Sequence, residues 1–328
     1  MELILADHDG RQIRELMDVD FDAELNGGDR TFEISMPSSE WSNDLTYGNR
    51  IFVPGTEIGG IIGMIITETE TDSVSIIGDT WRGRMERRVI VPPAGHDYYS
   101  VSGELNEILK EMIEPIFGGA YIVANESTGV TIKDYSFERF CTLRSGIEKM
   151  LKSVGYRLDI SYMVGSPNEC GYVFISAKPI VDHSDRIELS QDSQLNFRME
   201  DKRNGVNHLI AGGKGELQER NVIDLYVQKD GSIGKNQFYK GIDCIEYFYE
   251  NTSSETEEME AKAIEKLKEL MNSQAFDMDV EALGIDVKIG DIVGGRDYIT
   301  GMSMKKPVEN IVVTIRKGVI SKDYKLEG

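Results

Sequence analysis

The residues best suited to chemistry in this sequence are carboxylates that alternate with apolar side chains. Residues 17–25 read MDVDFDAEL, with acidic positions at Asp18, Asp20, Asp22 and Glu24. Such spacing suggests a calcium loop, but an EF-hand loop has Gly at its sixth position and Glu at its twelfth. Those positions hold Ala23 and Asp29. The strict alternation instead predicts a half-buried strand whose carboxylates face outward.

Two further acidic rows show a similar alternation. One contains Glu68, Glu70 and Asp72 between threonines, and the other contains Asp277, Asp279 and Glu281. Two carboxylates can hydrolyse a glycosidic bond when they are suitably separated and held in different environments. Acidic rows on regular strands are more often solvated faces. We therefore predict that none of these carboxylates is catalytic.

Arginines are concentrated in one segment of this acidic chain. Residues 78–93 read GDTWRGRMERRVIVPP and contain Arg82, Arg84, Arg87 and Arg88. A cluster of this kind can bind nucleic-acid phosphates. Because the chain has 57 acidic residues, pairing with carboxylates is the stronger expectation, either within the subunit or across an interface.

The remaining reactive residues are scattered. The histidines, which are His8, His96, His183 and His208, lie in no zinc-protease or triad-like context and are predicted to be loop or surface residues. The cysteines, which are Cys141, Cys170 and Cys244, show no CxxC spacing, so neither zinc nor a disulfide is expected. The glycine-rich run 211–215 lacks P-loop spacing and predicts a loop or a β-bulge. The sequence therefore predicts no catalytic residue, no cofactor and no metal site.

Length and composition limit the possible classes of protein. A chain of 328 residues, 40% of them hydrophobic, suggests two or three domains with substantial cores. The formal net charge of −21 argues against sequence-independent DNA binding, but it is compatible with a wall past which DNA slides. No stretch approaches the roughly 20 apolar residues that span a bilayer. Since no secretion signal is visible either, we expect a soluble protein made in the cytoplasm.

Period-two patterns predict a small antiparallel barrel in residues 1–95. Its expected strands are 17–25, 31–37, 49–55, 60–71 and 73–78, with a short helix at 38–45. Residues 60–66 are apolar on both faces, so we expect a neighbouring subunit or domain to cover Ile62 and its neighbours.

Residues 96–180 change to a mixed pattern that predicts a separate α+β domain. One helix is expected from a cap at Ser102 to the stop at Gly118, and a second over 136–154. A strand pair, 156–164 and 171–179, completes this domain.

Residues 181–328 return to strands, with a helical insertion at about 253–273 that opens on the capping box Ser254–Glu257. The acidic alternation at 276–281 repeats that of 17–25, and KIGDIV (288–293) is similar to YGNRIFV (47–53). These echoes predict a second barrel related to the first.

Three motifs together resemble one known family. The sequence holds Y-G-N-R-I-x-V at 47–53, then G-D-x-W-x-x-x-M-x-R-R-x-I-x-P-P at 78–93, and a closing G-D-I-V at 290–293. This order is similar to that of phage tail baseplate hub proteins, most closely the XkdQ/YqbQ family of PBSX-like prophages and contractile bacteriocins. The resemblance spans nearly the whole chain.

The resemblance implies a mainly β protein in which two tail-tube-like antiparallel barrels flank a small α+β domain. It implies a homotrimer whose six barrels form a pseudo-sixfold ring between a hexameric tail tube and a trimeric spike. The implied partners are tube or tube-initiator proteins, the central spike, other baseplate subunits and the tape measure protein. DNA would be only a passing cargo, and the chain would be made in the host cytoplasm and incorporated in the particle.

Two alternatives from other functional classes remain open. One is a cell-wall or glycan hydrolase that uses strand carboxylates, and the other is a receptor- or carbohydrate-binding β module. If the hub interpretation holds, the rows at 18–24 and 277–281 are expected to line an acidic channel that repels DNA phosphates. The competing expectation is that both rows simply solubilise the outer wall.

Overall fold

The computed structural model describes residues 3–17, 19–28, 31–165, 169–184, 197–215, 217–251, 256–278, 285–297 and 299–327. The chain is mainly β, with 44% strand and 19% helix, which confirms the predicted class at this level. It forms two compact units, Met1–Phe197 with Met278–Glu327, and Arg198–Asp277. The domain boundaries predicted near residues 95 and 180 both fall inside the first unit.

The described strands are numbered here in chain order. They are β1 (Leu3–Ala6), β2 (Gln12–Leu16), β3 (Asp20–Glu24), β4 (Phe32–Pro37), β5 (Arg50–Phe52), β6 (Gly59–Glu68), β7 (Ser73–Thr80), β8 (Ser100–Glu104), β9 (Tyr121–Val123), β10 (Thr131–Ser136), β11 (Tyr156–Met163), β12 (Tyr172–Pro179), β13 (Phe197–Lys202), β14 (His208–Gly212), β15 (Val222–Val227), β16 (Ile233–Gly234), β17 (Glu246–Glu250), β18 (Ser273–Met278), β19 (Ile292–Arg296), β20 (Ser303–Arg316) and β21 (Val319–Leu326). The α-helices are α1 (Trp81–Glu86), α2 (Leu105–Phe117), α3 (Leu143–Lys152) and α4 (Thr256–Leu270).

The first unit is built on a ten-stranded sheet. Its strand order is β19-β20-β3-β4-β7-β6-β5-β1-β2, with β21 also paired to β20. The C-terminal strands therefore continue the sheet begun by the N-terminal ones, because β20 runs antiparallel to β3 from Val312↔Glu24 to Ile315↔Phe21. The alternation predicted for this segment is confirmed within 19–25, since Phe21, Ala23 and Leu25 are buried.

The middle of the chain shares one hydrophobic core with this sheet. That core joins Phe52 and Trp81 to Leu109 of α2, Met150 of α3 and Tyr162 of β11. The Tyr162 ring stacks on Phe52 at a centroid distance of 3.9 Å and on Trp81 at 5.2 Å. Around it lie the two-stranded antiparallel sheet of β8 and β10 and a three-stranded sheet in the order β11-β12-β9. Residues 96–180 are therefore packed against the first strands through a continuous core.

Two helix boundaries differ from the prediction. The cap of α2 is the Glu104 carboxylate, not Ser102, whose hydroxyl instead accepts from the Asp134 N–H across the β8–β10 pair. The helix predicted from residue 136 begins only at Leu143, because β10 extends to Ser136 and Phe140 has a φ of 59°. Residues 38–45 form a single 3₁₀ turn at Ser38–Glu40 instead of a longer helix.

The second unit contains a four-stranded sheet in the order β16-β15-β14-β17, covered on one face by α4. Leu209 and Ala211 of β14 and Leu225 of β15 pack against Ala263 and Leu267 of α4. The predicted helical insertion thus contains a helix, whereas Ser254 of its capping box lies outside the described residues. Strands β13 and β18 form a separate two-stranded sheet.

The expected equivalence of residues 17–25 and 276–281 gains no support from the described part of the second segment, which ends at Met278. β3 lies inside the ten-stranded sheet, whereas β18, as far as it is described, pairs with β13 in a two-stranded sheet. A shared period of two specifies the pleat of a strand but not its place in a fold. The echo therefore gives no support to a pair of related barrels.

Candidate functional site

The arginine segment begins where β7 passes into α1. Thr80 ends the strand and caps the helix, because its hydroxyl accepts from the Gly83 N–H at 3.2 Å. The same hydroxyl lies 3.0 Å from that of Thr31, which fixes the start of α1 against the neighbouring chain. The cap directs Trp81 and Arg82 into the interior, where each is nearly inaccessible to solvent.

Arg82, whose side chain is 2% exposed, is the centre of a charge cluster that we define as Arg82, Glu57 and Glu148, in which the two carboxylates are 13% and 28% exposed. Arg82 Nε donates to Glu57 Oε1 at 2.5 Å and Nη1 donates to Glu148 Oε1 at 2.8 Å. Its Nη2 donates to the Leu158 carbonyl at 2.7 Å. The cluster therefore joins the loop before β6, helix α1, helix α3 and strand β11.

In this cluster one cation, Arg82, pairs with two carboxylates, and this affects the pKa values of Arg82 and Glu57. Burial by itself would lower the pKa of Arg82, but the charges of Glu57 and Glu148 outweigh burial and raise it. Burial raises the pKa of the Glu57 carboxyl above its ordinary value, although Arg82 opposes that rise. Removing Arg82 would therefore leave Glu57 buried without its counter-charge.

The other arginines of the segment are also engaged within the chain. Arg84 and Arg87 both pair with Asp79, at 3.2 and 3.1 Å. The Arg88 guanidinium lies 5.9 Å from the centroid of the Phe117 ring. The prediction that these arginines pair with carboxylates is thus confirmed for Arg82, Arg84 and Arg87.

The motif Y-G-N-R-I-x-V also connects distant segments of the chain. Gly48 of Y-G-N-R-I-x-V adopts a φ of 82°, which favours glycine. The Arg50 side chain that follows is 6% exposed, and it donates to the carbonyls of Gly171 and His8 at 2.9 and 2.8 Å. It therefore ties β5 to the chain before β12 and to the loop after β1.

The closing G-D-I-V motif likewise connects distant segments, in the C-terminal part of the first unit. Asp291 is 1% exposed and accepts from Arg157 Nε at 2.8 Å. It also accepts from the backbone N–H groups of Val181 and Lys288, at 2.9 and 3.0 Å. A cavity of about 200 Å³ lies beside these groups, and Arg82, Glu148 and Arg157 on its wall are all paired.

The first acidic row faces solvent in a single chain. Asp20, Asp22 and Glu24 are exposed, as the alternation predicts. Arg316 of β20 neutralises part of the row, because Nη2 donates to Asp22 at 2.6 Å and Nε lies 3.7 Å from Asp20. Asp18, Asp279 and Glu281 lie outside the described residues, and so does the side chain of Asp277.

The second row is not a row on a strand. β6 ends at Glu68, and residues 69–72 form the turn into β7, with Asp72 at a φ of 50°. Glu68 accepts from the Thr71 hydroxyl at 3.2 Å, and the acidic residues of the turn are exposed. The prediction that no residue of the chain is catalytic stays a prediction.

The glycine-containing strand is covered in part by its own chain. Ile62 is 2% exposed and lies opposite Gly78, so of the two expected covers, a neighbouring subunit or domain, no other subunit is needed for this residue. A register shift at Gly63 follows, beyond which Met64 and Ile66 lie opposite Ile77 and Ser75 and are half-buried. The bulge exchanges the faces of the strand, which explains why both of its faces are apolar in sequence.

One of the four histidines differs from the prediction of loop or surface positions. His8 and His96 are exposed, and His183 is buried but lies in a loop, whereas His208 is buried within β14. His183 Nε2 lies 3.5 Å from Asp291. His208 lies between two carboxylates, and together with Cys244 and Glu246 it forms the one group in the described part of the chain whose spacing suits a metal ion. The group is not apparent from the sequence, because His208 lies more than 30 positions before Cys244 and Glu246.

No helix within the described ranges is long and apolar enough to cross a membrane. No known protein family and no curated protein matches the sequence.

Several solved structures do show a likeness. The prophage tail protein gp18 of Listeria monocytogenes is 11% identical, with 99% of this chain and 94% of that chain covered and a TM-score of 0.46. The 43 kDa tail protein of prophage MuSo2 from Shewanella oneidensis is 13% identical, with coverages of 100% and 98% and a TM-score of 0.47. A chain of the P2 virion baseplate in its activated conformation is 10% identical, with coverages of 99% and 98% and a TM-score of 0.41. With TM-scores below 0.5 these likenesses establish neither the fold nor the function of this chain.

Proposed function

We propose that this chain is a structural baseplate subunit of a contractile phage tail or phage-tail-like bacteriocin, the hub that joins tail tube to spike. In this proposal three copies form a ring, and the chain has no enzymatic activity. Its partners are tube, spike and other baseplate proteins, together with the tape measure protein.

The observation that carries the proposal is that residues of the three motifs connect distant segments of the first unit. Each motif that resembles the hub family places one buried charged residue, Arg50, Arg82 or Asp291, where it joins distant segments of the first unit. Such connections suit a subunit that must transmit force through a contracting particle, because separating a buried charged group from its partners is strongly destabilising. A catalytic site would instead need a nucleophile or base directed at substrate.

One face of the ten-stranded sheet changes in polarity from β3 to β6, and we propose that this face takes part in assembly. One cross-strand line runs through Asp20, Ser35, Ser75 and Ile66, on β3, β4, β7 and β6. The line is acidic at β3, hydroxylic in the middle and apolar at β6. We assign the apolar end to contact with a neighbouring subunit and the acidic end to the channel wall.

An acidic wall suits a channel through which DNA passes. Carboxylates repel phosphates, so a passing genome would slide past them, whereas lysines would retain it. The pseudo-sixfold arrangement of two barrels per chain rests on the sequence resemblance, since the echo between 17–25 and 276–281 does not supply it.

A labelled particle tests the proposal. An epitope tag after Gly328 should place antibody at one end of the tail in negative-stain images, at the junction between tube and spike. The purified full chain should also leave a peptidoglycan suspension turbid. Label along the tube or sheath, or lysis of the suspension by the wild-type chain, would contradict the hub proposal.

A substitution tests the assembly face separately. Ile66→Asp should reduce the yield of intact particles while the purified chain keeps its circular dichroism spectrum. Thr71→Asp, on the exposed turn after β6, is the matched control and should assemble normally. Ile62→Asp is unsuitable because Ile62 is buried in its own chain. Normal particle yield from Ile66→Asp would remove the apolar end of the face from the interface.

A further inference from the structure

One face of the four-stranded sheet in the second unit brings together nitrogen, sulfur and oxygen donors. His208 lies at the start of β14, Glu246 at the start of β17, and Cys244 two residues before Glu246. One ligand atom from each of these residues lies within 4.8 Å of the others. This group, which we call the His–Cys–Glu group, goes beyond the structural role proposed above.

The sheet register produces this convergence. β14 and β17 are parallel, and His208 stands directly opposite Glu246. On the other side of β14, His208 is opposite Tyr226, so Asp224 two positions earlier in β15 shares the same face. The opposite face, which carries Leu209, packs against α4. The hydrophobic core on the opposite face of the sheet therefore holds the polar face in position.

The cysteine is held in place by the residue next to the histidine. Asn207 Oδ1 accepts from the Ile245 N–H at 2.9 Å, and Asn207 Nδ2 donates to the Asp243 carbonyl at 2.7 Å. These two bonds bracket Cys244 on both sides. The Cys244 Sγ lies 3.9 Å from Glu246 Oε1. The Asn207 side chain, just before β14, thus holds the backbone on either side of the thiol, and Gln237 Nε2 donates to the Sγ itself at 3.5 Å.

The two nitrogens of the His208 ring face different groups. Nε2 lies 2.8 Å from Asp224 Oδ1, and Nδ1 lies 2.8 Å from Glu246 Oε1. A neutral imidazole that donates from Nε2 to Asp224 presents a lone pair at Nδ1, directed at a carboxylate oxygen. Two acceptors facing each other at this distance need a positive charge, which either a proton on Nδ1 or a metal ion beside it supplies. A metal ion bound on the Nδ1 side would satisfy both acceptors and the nearby sulfur.

We propose that the His–Cys–Glu group binds one divalent transition-metal ion of the zinc class through His208 Nδ1, Cys244 Sγ and a Glu246 carboxylate oxygen. Asp224 then accepts from Nε2 and orients the ring, the arrangement that commonly supports a metal-bound histidine. Solvent completes the tetrahedral set. Mixed nitrogen, sulfur and oxygen donors suit zinc and exclude calcium and magnesium, which take oxygen ligands.

Charge and access agree with this assignment. A neutral imidazole, a thiolate and a carboxylate together balance the two charges of the ion. The ring of His208 is 9% exposed, whereas the Glu246 side chain is 60% exposed, so the ion has a rigid buried ligand and an open entry path. The His208 ring is further fixed by stacking on Tyr226 at a centroid distance of 4.3 Å.

Cobalt substitution tests the site in the full chain. The reduced protein is stripped with a chelator and titrated with Co²⁺, which reports tetrahedral coordination through its visible bands and thiolate ligation through a near-ultraviolet charge-transfer band. We expect one Co²⁺ per chain with both signatures, and displacement by one equivalent of Zn²⁺.

Variants separate this site from adventitious binding. Cys244→Ser should abolish the charge-transfer band, and Asp224→Asn should weaken zinc affinity by about 10- to 100-fold without removing the band. Cys170→Ser, which changes an exposed thiol remote in sequence, is the control and should behave as wild type. Circular dichroism establishes that each variant is folded. No charge-transfer band in the wild type, a band that survives Cys244→Ser, or a band lost in Cys170→Ser would overturn the proposal.

Discussion

Two arginine–carboxylate groups in the first unit share the same chemistry in opposite environments. Arg82 is 2% exposed and binds Glu57, Glu148 and the Leu158 carbonyl. Arg316 is 44% exposed and binds Asp22, with Asp20 at 3.7 Å. The first group joins four segments of the unit, whereas the second only links β20 to β3.

The difference shows how burial changes the role of an ion pair. Water competes for an exposed pair and salt screens it, so such a pair contributes little to stability. A buried pair gains little over well-packed apolar residues, yet removing one partner leaves an uncompensated charge in a medium that cannot solvate it. Arg82 therefore determines the arrangement of its surroundings, while Arg316 adjusts the charge of a surface.

The largest expected effect comes from Arg82→Met. This variant should lower the free energy of unfolding by about 3–5 kcal/mol, because Glu57 remains buried without its counter-charge. Urea denaturation followed by Trp81 fluorescence measures the loss. Arg84→Met is the matched control, since Arg84 pairs with Asp79 while 42% exposed, and it should cost less than about 1 kcal/mol. Equal losses for the two variants would show that burial is not what distinguishes them.

A half-buried carboxylate, Glu104, should give an intermediate effect. It caps α2 by accepting from the N–H groups of Asn106 and Glu107, at 2.8 and 3.1 Å, and it also accepts from Thr128. Although burial opposes the shift, these hydrogen bonds lower the pKa of Glu104 below its ordinary value of 4.5. Its contribution is therefore fully present above that value and is lost as the pH falls through the lowered pKa.

Glu104→Gln should accordingly cost about 1 kcal/mol at neutral pH. The difference from wild type should shrink as the pH falls through the lowered pKa of Glu104, because the wild-type carboxyl then becomes protonated too. Denaturation curves at a series of pH values measure this, with Glu111→Gln on the exposed side of α2 as control. A difference that stays constant down to the lowest pH would exclude the carboxylate as its source.

The smallest effect is expected from Arg316→Gln. It should cost less than about 1 kcal/mol in low salt and still less in high salt, because both carboxylate partners are exposed. Asp22→Asn should give a similar loss, and the double variant should cost less than the sum of the two. A loss of several kcal/mol that salt does not change would place Arg316 in the same class as Arg82.

Local pattern was enough to predict several features of the chain. The alternation at Phe21, Ala23 and Leu25 predicted a buried face, and Gly118 was correctly expected to end a helix. The pairing of the arginines in 78–93 with carboxylates was expected because the chain has many more acidic than basic residues. The first two features depend on the pleat of a strand and on the φ angles open to glycine, which act over a few residues. The third depends on the cost of burying an unpaired charge, which predicts that a partner exists but not which residue it is.

The tertiary structure alone decided which distant segments meet. A period of two is the same for every half-buried strand, so it could not show that β3 pairs with β20 while β18 pairs with β13. Nor could it place Glu57 against Arg82, or His208 opposite Glu246. Such choices depend on loop closure and on the packing of a shared core. The sequence by itself therefore determined the face that β3 buries, and only the folded chain determined its neighbours.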